Sequence, residues 1–309
     1  MSKQHKIVVS SRTFSVVPVL VEELRKHFDD ITFNQGQRLS ADELAVFIGD
    51  AQGVIVGLEP VNADVLIRCP NLEIVAKYGV GLDNVDLEAC KERKIKIGWA
   101  GGVNRLSVAE MTLGFMLALS RNLFKTSLEL KRGIWDKDGG AQLSGRTIGI
   151  IGCGHIGKEV IRFLKPFNSR ILVNDIIDQR DYYRAEGVEE TSKEEIFKQA
   201  DIVSLHVPLT PDTEQLVNVR TLALMRPDAF LINTARGGLL DYGALADALC
   251  TGTIAGAAVD VYDIEPPQDD TLLSLDNLIC TPHIGGNSRE AVIGMGMSAI
   301  EHLKKHFLG

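Results

Sequence analysis

No apolar run in this 309-residue chain reaches the ~18 residues that span a bilayer, so no transmembrane helix is expected. The opening MSKQHKIVVSSR lacks a signal-peptide core, because its apolar stretch is only Ile7–Val9, and a cytoplasmic protein is expected. Basic residues are in the minority, 33 against 41 acidic. The resulting formal charge of −8 argues against sequence-independent binding to nucleic acid or membrane. Cysteines are few and scattered (Cys69, Cys90, Cys153, Cys250, Cys280), with no CxxC pair and no histidine at ligand spacing. That dispersal excludes a disulfide framework and a zinc site, and reads as buried thiols in a reducing compartment, with no metal. Internal repeats and low-complexity segments are also missing.

What is present is an ordinary globular composition, 45% hydrophobic and 24% charged, long for one domain and comfortable for two. Short β-rich runs alternate with amphipathic stretches along the whole chain, the pattern of parallel sheets with crossover helices. A first series comprises KIVVS, ITFN, GVIVG, LEIVAKY and IKIGW, with a capping box Ser40-Ala-Asp-Glu43 opening one intervening helix. A second begins at Thr147: TIGIIG, RILVND, DIVSLHVP, AFLINT, IAGAAVDVY and NLICTP. The fold class is therefore α/β, with two doubly wound parallel-sheet domains, a flavodoxin-like one and a Rossmann one. The expected boundaries are 1–102 plus 285–309 for the first and 103–284 for the second, the last helix crossing back to complete the first. Between the two series lies NRLSVAEMTLGFMLALSR, Asn104 to Arg121, too apolar around its circumference for a surface helix. It reads either as a core helix or as a dimer helix.

The most specific local signal is TIGIIGCGHIGKEV, in which Gly152-x-Gly154-x-x-Gly157 follows a strand and opens a helix. Gly152 makes the tight turn, Gly154 admits the pyrophosphate to the backbone, and Gly157 lets helix and strand pack. The helix N-terminus offers unpaired N–H groups to the phosphates. Asp175 ends the next strand, 18 residues after Gly157 (175 − 157). It suits hydrogen bonds from the adenosine ribose and repels a 2′-phosphate, which predicts NAD (NADH) rather than NADP. Arg180, five residues on, would favour the phosphate instead.

Three polar stretches follow at the carboxyl ends of predicted strands, where open α/β sheets bind ligands. They are Asn233-Thr-Ala-Arg236-Gly-Gly, Asp260-Val-Tyr-Asp-Ile-Glu265-Pro-Pro and Thr281-Pro-His283-Ile-Gly-Gly. Arg236 could hold a substrate carboxylate and polarise the adjacent carbonyl. His283 could move a proton to and from the oxygen, and Glu265 would stabilise its protonated form. Taken singly, each is as well explained by a surface ion pair, a solvated loop acid or a satisfied loop histidine. Their joint placement after a dinucleotide motif favours chemistry.

The motifs KYGVGLDNVD, NRLSVAE, GCGHIG, HVPLTPDT, NTARGG, AAVDVYDIEPP and TPHIGG occur in the order seen in the D-isomer-specific 2-hydroxyacid dehydrogenases, which the chain resembles over nearly its whole length. The resemblance implies Arg236, Glu265 and His283 as the catalytic set and Asp260 as partner of the nicotinamide amide. It places His155 and Ile156 beside the pyrophosphate, Val207 on the adenine side, and Thr234, Ala235 and Arg236 on the nicotinamide side. Ser107, Gly285 and Gly286 are placed with the cofactor as well. Backbone N–H groups of Val80 and Gly81 are implied to hold the substrate carboxylate, as an anion nest would. It further implies a cleft between the two domains and a homodimer through the Asn104–Arg121 region.

Substrate choice stays open within that family. Where phosphoglycerate dehydrogenases commonly carry arginines for the substrate phosphate, this chain has Gly57 and Lys77, a point charge without the guanidinium fork. The sequence ends after its last predicted helix, and a short form without a regulatory domain is expected. Candidate substrates are 3-phosphoglycerate and unphosphorylated acids such as glycerate, glycolate (with its keto acid glyoxylate) and lactate. The formate dehydrogenase pattern pairs its histidine with glutamine, unlike Glu265. A different class, an NAD-sensing corepressor-like binding protein, would keep the same fold.

Overall fold

The computed structural model describes residues 5–268 and 270–309. The chain divides into two compact units, Met1–Asn104 with Asn287–Gly309, and Arg105–Gly286. In the first unit, β1 (Lys6–Val9), β2 (Asp30–Phe33), β3 (Gly53–Val56), β4 (Ile74–Lys77) and β5 (Lys96–Gly98) form one sheet. Every pairing is parallel and the order is β2-β1-β3-β4-β5, the flavodoxin-like arrangement. All residues of β3 and β4 are buried, as strands covered on both faces must be. The helix Ala41–Ile48 carries the expected capping box. Ser40 Oγ accepts from Glu43 N at 3.4 Å, and the Glu43 carboxylate accepts from Ser40 N at 2.8 Å. The C-terminal helix Arg289–Phe307 belongs to this unit, where it packs on β4 and on the helix Pro18–Arg25. Ala291, Met295, Ala299, Ile300 and Leu303 are buried along it, an i, i+4, i+8 stripe that meets the sheet.

The second unit holds seven parallel strands: β6 (Thr147–Ile151), β7 (Arg170–Asn174), β8 (Glu189–Glu190), β9 (Ile202–Leu205), β10 (Phe230–Asn233), β11 (Gly256–Val259) and β12 (Leu278–Cys280). Their order is β12-β11-β10-β9-β6-β7-β8, a Rossmann sheet whose strand order reverses between β6 and β9. The sequence pattern predicts six of these strands. β8 escapes it because an exposed two-residue edge strand needs no apolar side chains, and Glu189 is instead held by Arg170 at 2.6 Å. One apolar cluster of this unit includes Ile196, Phe197, Leu222, Leu239, Leu245 and Ile254. Another includes Met116, Ile148, Ile150, Val160, Ile161 and Leu164.

The helix Arg105–Ser120 supplies Ala109, Phe115, Met116 and Leu119 to that second cluster, so one of its faces belongs to the core of the Rossmann unit. The following helix Leu123–Lys131 buries no residue, and Leu123, Phe124, Leu130, Ile134 and Trp135 are exposed. The cysteines are not all buried, contrary to expectation: Cys250 is exposed at the end of the helix Tyr242–Cys250. Cys69, Cys90 and Cys153 are buried, and burial pushes the thiols of Cys90 and Cys153 up to about 11, which leaves them inert near neutral pH. Among the described residues, no helix is long and apolar enough to cross a membrane, and no group of three or more His, Cys, Asp or Glu could hold a metal ion.

Candidate active site

The strand-order reversal places the end of β6 beside the end of β9. The chain leaves β6 through Gly152, at φ +100°, where a Cβ would lie 2.5 Å from the carbonyl oxygen of His206. Only glycine fits a turn that is left-handed and pressed against another strand end. Val207 packs its Cγ1 on the same point. The helix His155–Leu164 then starts from Gly154, which no side chain caps and around which no atom lies within 4 Å of a Cβ position. Gly154 and His155 are exposed and Ile156 is half-buried. The first N–H groups of the helix therefore have no side-chain cap, and the space beside Gly154 is open, as an anion site at a helix start requires.

Asp175 lies just beyond β7. Its Oδ2 accepts from Cys153 N at 2.6 Å and its Oδ1 from Ile177 N at 2.9 Å, so one carboxylate ties the glycine turn to the next loop. Ile176 beside it is 99% exposed, an apolar side chain with nothing yet to cover it. Arg180 is turned onto Asp178, whose carboxyl it holds down to about 2, chiefly through their hydrogen bonds. An uncapped helix start, an unobstructed glycine and an acid at the second strand's end fit an NAD-type dinucleotide. When bound, such a cofactor supplies hydride chemistry at its nicotinamide end.

Three loops follow from adjacent strands. Asn233, 0% exposed at the end of β10, accepts from Ala235 N at 3.0 Å and donates to Arg236 O at 2.8 Å. It thereby folds the NTARGG turn from inside. Arg236 Nη1 donates to Ala235 O at 2.7 Å. Thr234 donates to Thr112 Oγ1 at 3.1 Å, since the Thr112 proton is committed to Val108 O. A Cβ on Gly237 would overlap the carbonyl of Tyr262, so glycine is what lets the Arg236 loop lie on the next one. There, Glu265 Oε1 accepts from Tyr262 N at 3.2 Å. His283 Nδ1 stands 2.9 and 2.8 Å from the two Glu265 oxygens. A carboxylate can only accept, so Nδ1 carries the proton of that bond. Its backbone is left-handed, at φ +54°.

Asp260, 1% exposed, follows β11 beside Thr281, which follows β12. Its Oδ1 accepts from Thr281 Oγ1 at 2.6 Å and Ile284 N at 2.8 Å, and its Oδ2 from Gly285 N at 2.7 Å. Ser107 Oγ donates to Gly285 O at 2.6 Å, and half-buried Gly286 continues the loop. A second histidine nearby behaves differently. Burial pushes His206 down to about 4, and its Nε2 meets Ser204 Oγ at 2.9 Å, so it stays neutral.

Lys77, Val80 and Gly81 belong to the first unit. Lys77 is 4% exposed, and its ammonium donates to Gly57 O and, at 2.6 Å, to Asn84 Oδ1. Asn84 Nδ2 in turn donates to Glu59 O at 2.6 Å, so Lys77 helps tie the loops after β3 and β4 together. Val80 and Gly81 are half-buried in the turn after β4, where Trp99 Nε1 donates to Val80 O at 2.8 Å.

The structure thus brings Arg236, Glu265, His283, Asp260 and Gly285 onto one braced set of loops within the Rossmann unit, which Ser107 reaches from the helix Arg105–Ser120. Sequence reading passed over Asn233 and Thr281 as individuals. Their signal is a polar residue at or just past the end of an apolar strand, where no ladder partner remains and the side chain turns back on its own loop.

Residues 113–285 match the family described as "D-isomer specific 2-hydroxyacid dehydrogenase, NAD binding domain". The chain is 40% identical to a D-3-phosphoglycerate dehydrogenase of Methanocaldococcus jannaschii over 275 residues, which are 88% of this chain and 52% of that protein. It is 37% identical to a hydroxypyruvate reductase of Thermotoga maritima, over 87% of this chain and 89% of that one. Among solved structures, the TT0316 protein of Thermus thermophilus superposes with a TM-score of 0.88 at 35% identity, covering 96% and 94% of the two chains. The chain therefore spans about half the length of the phosphoglycerate dehydrogenase and most of the reductase.

Proposed function

Because this chain belongs to the D-isomer specific 2-hydroxyacid dehydrogenase family, we propose that it interconverts a small D-2-hydroxy acid and its 2-keto acid with NAD(H). The observation that carries this reading is the His283–Glu265 pair at 2.8 Å, on a loop of the same sheet edge as the glycine turn. With Nδ1–H committed to Glu265, Nε2 is the atom that exchanges a proton with substrate. In reduction His283 would give its Nε2 proton to the carbonyl oxygen, with the Glu265 carboxylate at Nδ1 balancing the imidazolium charge, and NADH when bound would supply the hydride. In oxidation the proton returns to Nε2. Arg236 engages the substrate carboxylate and carbonyl oxygen, offering the charge that develops there a fixed donor. A corepressor-like binding protein would need no such pair, and that alternative is not favoured.

The substrate is an unphosphorylated hydroxy acid of the glycerate or glycolate type. Gly57 offers no side chain, and the Lys77 ammonium serves Gly57 O and Asn84. Purified protein should oxidise NADH with hydroxypyruvate or glyoxylate faster than with phosphohydroxypyruvate. A faster rate with the phosphorylated acid would reverse this assignment, and no turnover across the panel would leave a binding protein.

The cofactor is NAD rather than NADP, because the Asp175 carboxylate would repel a 2′-phosphate and Arg180 is turned onto Asp178. Asp175→Ala should lower the ratio of kcat/KM for NADH over NADPH by about tenfold, equivalent to about 1.4 kcal/mol of discrimination. An unchanged ratio would remove Asp175 from cofactor choice. The protein acts as a homodimer through the Asn104–Arg121 region, with the exposed Leu123, Phe124, Leu130, Ile134 and Trp135 that follow it covered by a second copy. Sedimentation should show twice the chain mass, and a monomer at micromolar concentration would contradict it.

A further inference from the structure

His283 sits in a backbone conformation that few non-glycine residues adopt, histidine being among those that do so more readily. At φ +54° its Cβ crowds the backbone, and its own N–H closes a tight turn onto Thr281 O at 3.0 Å. A residue held this way needs restraint on both sides. Both restraints come from one side chain. Before His283, Asp260 Oδ1 accepts the Thr281 hydroxyl at 2.6 Å. After it, Oδ1 accepts Ile284 N at 2.8 Å and Oδ2 accepts Gly285 N at 2.7 Å. A Cβ on residue 285 would lie 2.9 Å from Asp260 Oδ2, so glycine allows this approach, and Ser107 Oγ pins the carbonyl of the same residue at 2.6 Å. Asp260 is itself fixed, since its N–H donates to Asn233 O at 3.0 Å and its side chain is 1% exposed. A carboxylate offers about four acceptor positions, and three are taken within this loop.

We infer that Asp260 is a positioning residue for His283: its carboxylate grips the chain on both sides of the histidine and fixes the direction in which the imidazole is presented. This role stands beside the nicotinamide-amide partnership that the family resemblance implies for Asp260, for which the fourth acceptor position is left. It deepens the proposed dehydrogenase activity and rests on it for the kinetic part of its test. No proton passes through Asp260, and its effect on turnover is transmitted by Thr281, Ile284 and Gly285.

The test uses the full chain with NADH and the best keto acid of the panel. Asp260→Asn keeps size and shape, but its NH₂ must face the N–H of Ile284 or of Gly285. At saturating NADH and keto acid its kcat should fall by about 10²-fold, the cost of about 1 Å of misplacement at the reacting group. KM for the keto acid should stay within about threefold, and the NADH dissociation constant, read by fluorescence titration, separates any loss of cofactor binding from the loss of kcat. Thr281→Val leaves the carboxylate intact and removes one donor. It should lower kcat about tenfold with KM in the same range, provided its melting temperature matches the parent. A kcat at saturation retained in Asp260→Asn, with only the NADH dissociation constant raised, would confine Asp260 to cofactor binding and overturn the inference. Normal kcat in both variants would overturn it equally. A parent protein inactive on every keto acid defeats the activity and not the positioning. In that case the imidazole ¹H–¹³C resonance of His283 is the readout: it should move in both variants, and an unmoved resonance ends the proposal.

Discussion

His283→Ala is expected to lower kcat in both directions by about 10²–10⁴-fold, the range of general acid–base catalysis. The expectation rests on what the imidazole does with its two nitrogens. Nδ1–H is donated to Glu265, at 2.9 and 2.8 Å from its oxygens, which fixes the ring and leaves Nε2 as the exchanging atom. Alanine removes proton donor and acceptor together, and water does not arrive pre-oriented in their place. NADH binding should survive, because the glycine turn and Asp175 lie after other strands and are untouched. Glu265→Gln is the informative companion. It keeps an acceptor for Nδ1 but removes the charge that stabilises the imidazolium, so kcat should fall by less than in His283→Ala. Turnover of His283→Ala within a few-fold of the parent would return this histidine to an ordinary loop position.

Arg236→Ala should reduce kcat/KM for the keto acid by about 10²–10³-fold, comparable with losing a donor to developing negative charge. The NTARGG turn does not need the guanidinium, because Asn233 folds it from within through Ala235 N and Arg236 O. Gly237 lies on the Tyr262 carbonyl whichever residue precedes it. The turn should therefore persist in the variant, and the loss should read on chemistry rather than on folding. Arg236→Lys separates charge from geometry. Lysine restores a cation without the planar fork, so it should recover only part of the lost kcat/KM. Recovery to the parental value would reduce Arg236 to a point charge. A kcat/KM unaffected by alanine would remove it from the site.

The two sheets were legible because β3, β4, β9 and β11 are apolar at nearly every position, a pattern that only strands covered on both faces require. The glycine turn was legible because its geometry admits almost no other residue. β8 was not legible, since an edge strand of two glutamates is specified by Arg170 and by its neighbour in space rather than by its own pattern. The candidate site was readable as residue types at strand ends. Its bracing was not. That Lys77 turns onto Gly57 O and Asn84, or that Asp260 spends its oxygens on Thr281, Ile284 and Gly285, depends on distances between segments far apart in the chain. Exposure misled in one place: Cys250 sits in an apolar stretch yet faces solvent, because its helix ends there.

The left-handed backbone of His283 also constrains how this protein can change over generations. Asparagine, aspartate and glycine enter that conformation most easily, whereas valine, isoleucine and threonine are shut out by their branched Cβ. A descendant that gave up proton transfer while keeping the TPHIGG loop would drift toward asparagine or glycine at this position. A β-branched residue there would instead announce that the loop itself had been rebuilt. The φ of one residue thus separates two histories, loss of chemistry on an intact scaffold and replacement of the scaffold, that would look alike in an activity assay.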